Sequence, residues 1–596
     1  MSRDRLSDIE LPDETFVLWI LLLVSVAVVT GSFVAAAVLF PHTVGALISG
    51  QALLGLGLGF VGSLLVVLVG WPSKPLKTGW ETANEEARIQ GTDPGWNVLD
   101  TLDSEVDRPV FVPGVIVSIL VVGLLSVFPA RAAAVIAALE GIVLNLGRPV
   151  LFAAVFVFVV FALAVAVGPW GRIRLGDDEP AFSTVGYLAM LFSAGIAAGI
   201  VFWGPVEALL HYETVPPYSG VDTRSEEAIV VSLQYTIFHW GLSAWSTYLV
   251  IGLPIAYAAY NMGAQLRVSA VLVPILGSDA VERPIGRLVD VLAVVATLGG
   301  LSTTLGFVSA QFLAAIDFGW GIGVGPAGTA LLILGLTTIV VISTVAGVSR
   351  GMGRLSLLNT GVFCLVVVFL LVVGPTGFIL GTGSSALVVY VVEFVPMSFF
   401  TGEGGDDWIA NWTAFYWLWW LSWAPFVGLF LARISRGRRI RTVVFGMIGA
   451  TFGTLAWFVV VGSTSLWLQH TGAVDLLALL HAESIAIAGY PLFDAVSLGG
   501  FLLGPFLLLV ITFIVTSADA ATRSLAIVST GRANPSNPLF VFFGGFIGSI
   551  ATVLLIFGGQ EALESAAILT GAPVAIVGLI AIVGFVVALR DHDDRP

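Results

Sequence analysis

The sequence predicts an all-α polytopic membrane protein with about fourteen transmembrane helices, ten of which form a 5+5 inverted repeat. Three observations lead there. Of its 596 residues, 57% are hydrophobic and only 11% charged, with a mean hydropathy of +1.00, a balance outside that of soluble domains. Apolar runs of about 20 residues, the length that crosses a bilayer core, recur from end to end. Two of these runs carry helix-weakening residues at matching positions of successive five-helix blocks, the mark of an inverted-repeat transporter whose site lies where the breaks meet.

Residues 1–108 form an N-terminal extension with spans at 16–40 and 44–71 and an acidic loop at 72–108. The first run follows "MSRDRLSDIELPDE" and lacks a small-residue cleavage site, so it reads as a span and not as a signal peptide. Peripheral spans at 109–128 and 149–169 fill residues 109–182. Between them "ARAAAVIAALEGIVLNLG", 130–147, is too short and too polar at its edges to cross, and reads as an amphipathic surface helix. The first repeat, 183–398, holds spans 183–205, 230–258, 288–315, 327–349 and 355–380, then a second surface helix near 383–398. The second repeat, 399–590, holds 410–432, 442–466, 493–516, 537–557 and 571–589, before a short acidic tail, 591–596.

Orientation follows from positive charge, which concentrates in cytoplasmic loops. With the N-terminus inside, 22 of the 25 Lys and Arg residues fall on the cytoplasmic side and only Arg131, Arg148 and Arg224 outside. Both termini are then cytoplasmic in a multi-pass protein of the cell membrane. The net charge of −14 argues against nucleic acid as a partner. The single cysteine, Cys364, excludes a disulfide framework or cysteine metal site.

The predicted interruptions are "MLFSAGIAAGIVFWG", 190–204, where Gly195 and Gly199 weaken the helix, and "FYWLWWLSWAPFVG", 415–428, where Pro425 removes a donor. Close to them lie tryptophans too deep for a headgroup belt. At about 100° per residue Trp240, Trp245 and Tyr248 share one face of a helix. Trp417, Trp420 and Trp423 form a stripe on the other, with Trp419 beside it. A stack of indoles at mid-membrane suits a cation–π cage for a quaternary ammonium group, which offers no hydrogen-bond donor to ordinary polar side chains. Neither interruption carries an acidic residue, so the rings themselves are expected to hold the positive charge of a net-neutral zwitterion. Backbone N–H groups near Gly195 would receive its carboxylate.

"FHWGLSAWSTY", "NWTAFYWLWWLSWAPFVGLFLARISRGRRIR" and "GRIRLGDDEPAFSTVGYLAMLFSAGIAAGIVFWG" closely resemble the betaine/choline/carnitine transporter family over residues 109 to about 590. The resemblance implies a LeuT-like inverted repeat, a homotrimer, and uptake of trimethylammonium compounds, often with sodium. It implies an ammonium box of Trp240, Trp245, Tyr248 and Trp420, with Trp419 and Trp423 contributing as the pathway opens and closes. "TSADAATR" resembles the family's sodium motif, which makes Thr516 and Ser517 hydroxyl ligands, completed by carbonyls near Ser193 and Ile196. Thr297 and Phe426 match a second sodium site, but Leu301 stands where a further hydroxyl is expected. Gly199 is retained where choline-preferring members often carry an acid, which favours a zwitterion such as glycine betaine.

The sequence therefore predicts a secondary transporter that imports glycine betaine or a related osmolyte by alternating access, with sodium as coupling ion and no cofactor. The alternative within this fold is sodium-independent transport by exchange or on protons. An intramembrane enzyme would need clustered ionisable groups within the spans. His239 is the only histidine well inside one, with no obvious acidic partner in sequence.

Overall fold

A computed structural model of the chain describes residues 105–593 apart from 346–348, 403–406, 488 and 498–499. The spans expected at 16–40 and 44–71, most of the acidic loop and the end of the tail lie outside the described residues. Among those described, ten helical stretches are long and apolar enough to cross a membrane.

Helices α1 (Arg108–Val127), α2 (Pro129–Leu146) and α3 (Arg148–Val167) lie ahead of the repeat. The first block contains α4 (Thr184–Trp203), α5 (Glu207–Glu213), α6 (Glu226–Trp240), α7 (Leu242–Asn261), α8 (Pro284–Trp320), α9 (Pro326–Val345) and α10 (Ser349–Val373). Helix α11 (Thr376–Phe399) connects the blocks. Its 24 residues make it longer than the surface helix expected at 383–398, and Val388, Val391 and Val392 point outward from it. The second block contains α12 (Phe415–Ile434), α13 (Ile440–Trp457), α14 (Ser463–His470), α15 (Gly500–Thr530), α16 (Asn537–Val553) and α17 (Gly559–Asp593). Helix α15 starts and ends later than the 493–516 expected, because the apolar period continues through the small and hydroxyl residues of "TSADAATRS".

The two blocks pack as a repeat. The leading helix of each block lies against the third long helix of the other, α4 on α15 and α12 on α8. Each also meets the second, α4 on α13 and α12 on α7. The third helix of each block meets the fifth of the other, α8 on α17 and α15 on α10, while α9 and α16 pair with each other. Each of these contacts has its counterpart, as a two-fold relation between halves requires. Helix α12 is apolar on all sides and buried on all sides except around Arg433, which makes it the axis of the bundle.

Helix ends are fixed by their own sequence. Ser183 and Ser225 cap α4 and α6 by accepting from the amides of Gly186 and Ala228, and Glu226 and Glu227 add negative charge to the first turn of α6. Between helices, "RIRL" and "SRGRR" pair as short extended segments. The Leu175 amide donates to the Arg438 carbonyl at 2.9 Å and the Ile440 amide to the Ile173 carbonyl at 3.0 Å. The Arg438 guanidinium lies 4.0 Å over the Tyr187 ring, so these basic loops tie the start of one block to that of the other.

Two expectations about helix breaks are revised. Helix α4 is continuous from Thr184 to Trp203, and α12 passes through Pro425 without a stop. The break falls instead at Gly241, with φ −88° and ψ −141°, which divides the span expected at 230–258 into α6 and α7. A Cβ there would lie 2.5 Å from the Ile237 carbonyl oxygen and 2.9 Å from the Tyr390 hydroxyl, so only glycine fits. Further π-helical turns at Ala410–Ala414 and Phe458–Gly462 flank the aromatic centre, a placement typical of functional sites.

Candidate functional site

The aromatic residues singled out in the sequence meet at the centre of the bundle. Trp240 ends α6, Trp245 and Tyr248 lie in the first turns of α7, and Trp419, Trp420 and Trp423 line α12. All six are 5% exposed or less. Because of the break at Gly241, Trp240 does not share a helix face with Trp245 and Tyr248. The chain turn brings them together instead. Trp420 is the hub, with its ring centroid 5.2 Å from that of Trp240 at 85° and 5.5 Å from that of Tyr248 at 65°. Trp240 meets Trp419 at 5.9 Å, and Trp245 meets Tyr248 at 5.8 Å, both edge to face.

The fourth wall is backbone. A Cβ on Gly195 would stand 2.7 Å from the Trp245 ring and 3.3 Å from Tyr248, and one on Gly199 would stand 2.9 Å from Trp419. The glycines therefore serve close approach of α4 to the rings while α4 stays helical. The amides near Gly195 are consequently part of a continuous helix, which removes them as the carboxylate anchor expected from the sequence. The Tyr248 hydroxyl donates to the Gly195 carbonyl at 3.2 Å, the Trp420 indole to the His239 carbonyl at 3.0 Å and the Trp423 indole to the Gly300 carbonyl at 3.1 Å. The indole N–H groups of Trp245 and Trp419 are buried with no partner, which leaves two donors on rings of the box unused. Gly195, Gly199, Trp240, Trp419, Trp420 and Trp423 enclose a cavity of about 10 Å³, the space of one water molecule. A trimethylammonium group needs the rings to part.

A second cluster joins α4 to α15. The hydroxyls of Thr516 and Ser517 lie 3.4 and 3.3 Å from the Ser193 carbonyl oxygen, and all three residues are buried. Ile196 lies one turn further along the same helix. Thr297 and Phe426 are engaged elsewhere. The Thr297 hydroxyl donates to the Ala293 carbonyl within its own helix at 2.7 Å, and the Phe426 carbonyl accepts from Ser524 at 3.2 Å.

Sequence reasoning missed Glu207. It lies behind Trp240, fully buried, and has four hydrogen-bond partners. Trp240 Nε1 and the Tyr416 hydroxyl donate to Oε2 at 2.5 and 2.6 Å, while His239 Nδ1 and His211 Nε2 meet Oε1 at 2.8 and 3.3 Å. His239 thus does have a buried acidic partner, 32 residues away in sequence and adjacent in space. The available signals were Glu207 and His211 at an i, i+4 spacing and the "FHW" triplet, but nothing in the sequence placed one against the other.

The family model for betaine/carnitine/choline family transporters matches residues 109–594. The chain is 38% identical over 438 residues to the glycine betaine transporter OpuD of Bacillus subtilis, covering 72% of this chain and 84% of that one. It is 35% identical over 489 residues to an ectoine/hydroxyectoine transporter of Virgibacillus pantothenticus, covering 81% and 96%. A solved structure of a Na+-coupled sialic acid symporter aligns over 74% of this chain and 86% of its own, with a TM-score of 0.41 and 14% identity. The chain belongs to the betaine/carnitine/choline transporter family.

Proposed function

We propose that the chain imports a zwitterionic quaternary-ammonium osmolyte, glycine betaine or a close analogue, by sodium-coupled alternating access. The observation that carries this reading is the aromatic box of Trp240, Trp245, Tyr248 and Trp420 closed by the backbone of α4 at Gly195 and Gly199. Its walls supply π faces without an acidic side chain, which suits a cation lacking hydrogen-bond donors. The unpartnered indoles of Trp245 and Trp419 supply donors for the carboxylate at the other end of a zwitterion. Relatives with glycine betaine in their names support the choice, and the ectoine relative makes ectoine a substrate to test beside it.

The sodium reading rests on the Ser193 carbonyl and the Thr516 and Ser517 hydroxyls, with the Ile196 backbone close by in sequence. Two oxygens that ligate one hard cation at about 2.4 Å and roughly right angles stand about 3.4 Å apart, close to the observed spacing. An ion there bridges α4 and α15, so its binding energy acts on the packing of the two blocks. Thr297 and Phe426 contribute less to this reading, since their polar atoms are satisfied locally. The working unit is proposed as a homotrimer in the cell membrane with both termini cytoplasmic.

The test is uptake of labelled glycine betaine into proteoliposomes. Import driven by an inward sodium gradient, lost with potassium in its place and reduced in Ser517→Ala, supports the proposal. Uptake indifferent to sodium in both proteins refutes the coupling and favours the sodium-independent alternative.

A further inference from the structure

We infer that Glu207 is a positioning residue whose buried negative charge, delivered through the Trp240 indole, sets the preference of the aromatic box for a cation. This rests on the function proposed above and deepens it. Four polar groups converge on the carboxyl group, and Trp240 Nε1 is an obligate donor to Oε2. A carboxylate with two imidazole nitrogens on one oxygen and an indole and a phenol on the other is the arrangement that accommodates an anion away from water. His239 Nε2 in turn meets the Thr413 hydroxyl at 3.0 Å, which fixes the ring from the π-helical turn before α12. Of the polar side-chain atoms of Glu207, His211 and His239, only His211 Nδ1 has no partner. The cluster is therefore a hydrogen-bonded cradle for a carboxylate more than a metal cage, although its ligand atoms lie within 4.8 Å of one another.

The consequence falls on the box. The ring that donates a hydrogen bond to the carboxylate from its outer edge is the ring that faces Trp420 and Trp419 at 5.2 and 5.9 Å. An anion bound at the indole N–H raises electron density on the π face opposite a ligand, and its field adds to the ring quadrupole. Across one indole, roughly 8 Å, in a medium of effective dielectric about 20, a unit charge alters a binding constant by about ten- to thirty-fold. The substrate's charge is thus balanced at one remove. The box keeps purely aromatic contact with the methyl groups, and the carboxylate stays out of reach of any hydrogen-bond donor that a competing amine would bring.

The experiment compares Glu207→Gln and Glu207→Asp in purified, monodisperse protein by calorimetric titration with glycine betaine and with tert-butylacetate. The latter is the isostere whose quaternary carbon replaces the nitrogen. Aspartate keeps the charge and shortens the reach, while glutamine keeps the size and loses the charge. The inference predicts that Glu207→Gln loses about tenfold or more in betaine affinity, that Glu207→Asp stays closer to wild type, and that only glutamine lowers the ratio of betaine to isostere affinity. It is overturned if glutamine binds betaine as well as wild type, if aspartate is the weaker variant, or if both ligands weaken by the same factor. Since the ratio counts only ligand-binding molecules, partial loss of folded protein does not mimic the effect. Should neither variant fold, Tyr416→Phe, which leaves the charge in place, is read in the same titration. Retention of the betaine-to-isostere ratio supports the inference, and its loss overturns it. A wild-type protein that binds no trimethylammonium compound refutes the proposed function itself, a result distinct from these.

Discussion

Replacing Trp420 by leucine removes the hub of the box. Its ring meets both Trp240 and Tyr248, and its indole N–H holds the His239 carbonyl at 3.0 Å. Two consequences separate. The folded state loses two aromatic pairs worth about 1 kcal/mol each and one hydrogen bond of about 1 kcal/mol, partly offset by the apolar leucine. The ligand loses a desolvated cation–π contact of roughly 2 kcal/mol, equivalent to about thirty-fold in affinity. Calorimetric titration of betaine into the folded, monodisperse fraction reads the second effect free of the first. Trp420→Phe keeps a π face at the same position and should lose less than tenfold. Trp417, also buried, packs on Phe238 at 5.0 Å away from the cavity. Trp417→Leu should therefore lower thermal stability and leave betaine affinity within about threefold. The reasoning is refuted if Trp420→Leu binds within threefold of wild type, or if Trp417→Leu loses as much affinity as Trp420→Leu.

Three other outcomes follow from the packing. Helices α7 and α12 cross at Gly252 and Gly428, where added Cβ atoms would lie 2.7 Å from the Gly428 carbonyl oxygen and 2.9 Å from the Gly252 nitrogen. Alanine at either site should cost about 1–3 kcal/mol by overpacking, seen as a lower melting temperature in detergent, and should weaken betaine binding because these helices carry facing walls of the box. Arg267 pairs with fully buried Asp290 at 2.9 Å and with Asp107 at 2.7 Å. Arg267→Met should cost about 3–5 kcal/mol, and Arg267→Met with Asp290→Asn should recover part of it, measured as melting temperatures of the single and double variants. In wild type, betaine and sodium together should raise the melting temperature more than the sum of their separate effects, whereas Ser517→Ala should show betaine stabilisation independent of sodium.

Much of this architecture is legible in the sequence because a bilayer constrains it strongly. Apolar length marks the spans, and the depth of Trp240, Trp420 and Trp423 marks the centre. Less legible was backbone continuity. Gly195 and Gly199 read as a break, whereas the packing of Trp245 and Trp419 against an unbroken α4 makes them sites of close approach. Gly241 gave no signal, since its need for glycine comes from the way the chain turns between α6 and α7, against the Ile237 carbonyl and the Tyr390 hydroxyl of a distant helix. Glu207 was missed for the same reason. A buried carboxylate is tolerated only by its partners, and these come from residues 211, 239, 240 and 416. Local pattern reports faces and lengths, whereas satisfaction of a buried charge is a tertiary property.

The most direct test of the aromatic box is a titration series through glycine betaine, dimethylglycine, sarcosine and glycine. Each methyl removed adds an N–H that the ring walls cannot satisfy, so affinity should fall at every step, most steeply at the first. Equal or tighter binding of dimethylglycine or glycine would contradict the account.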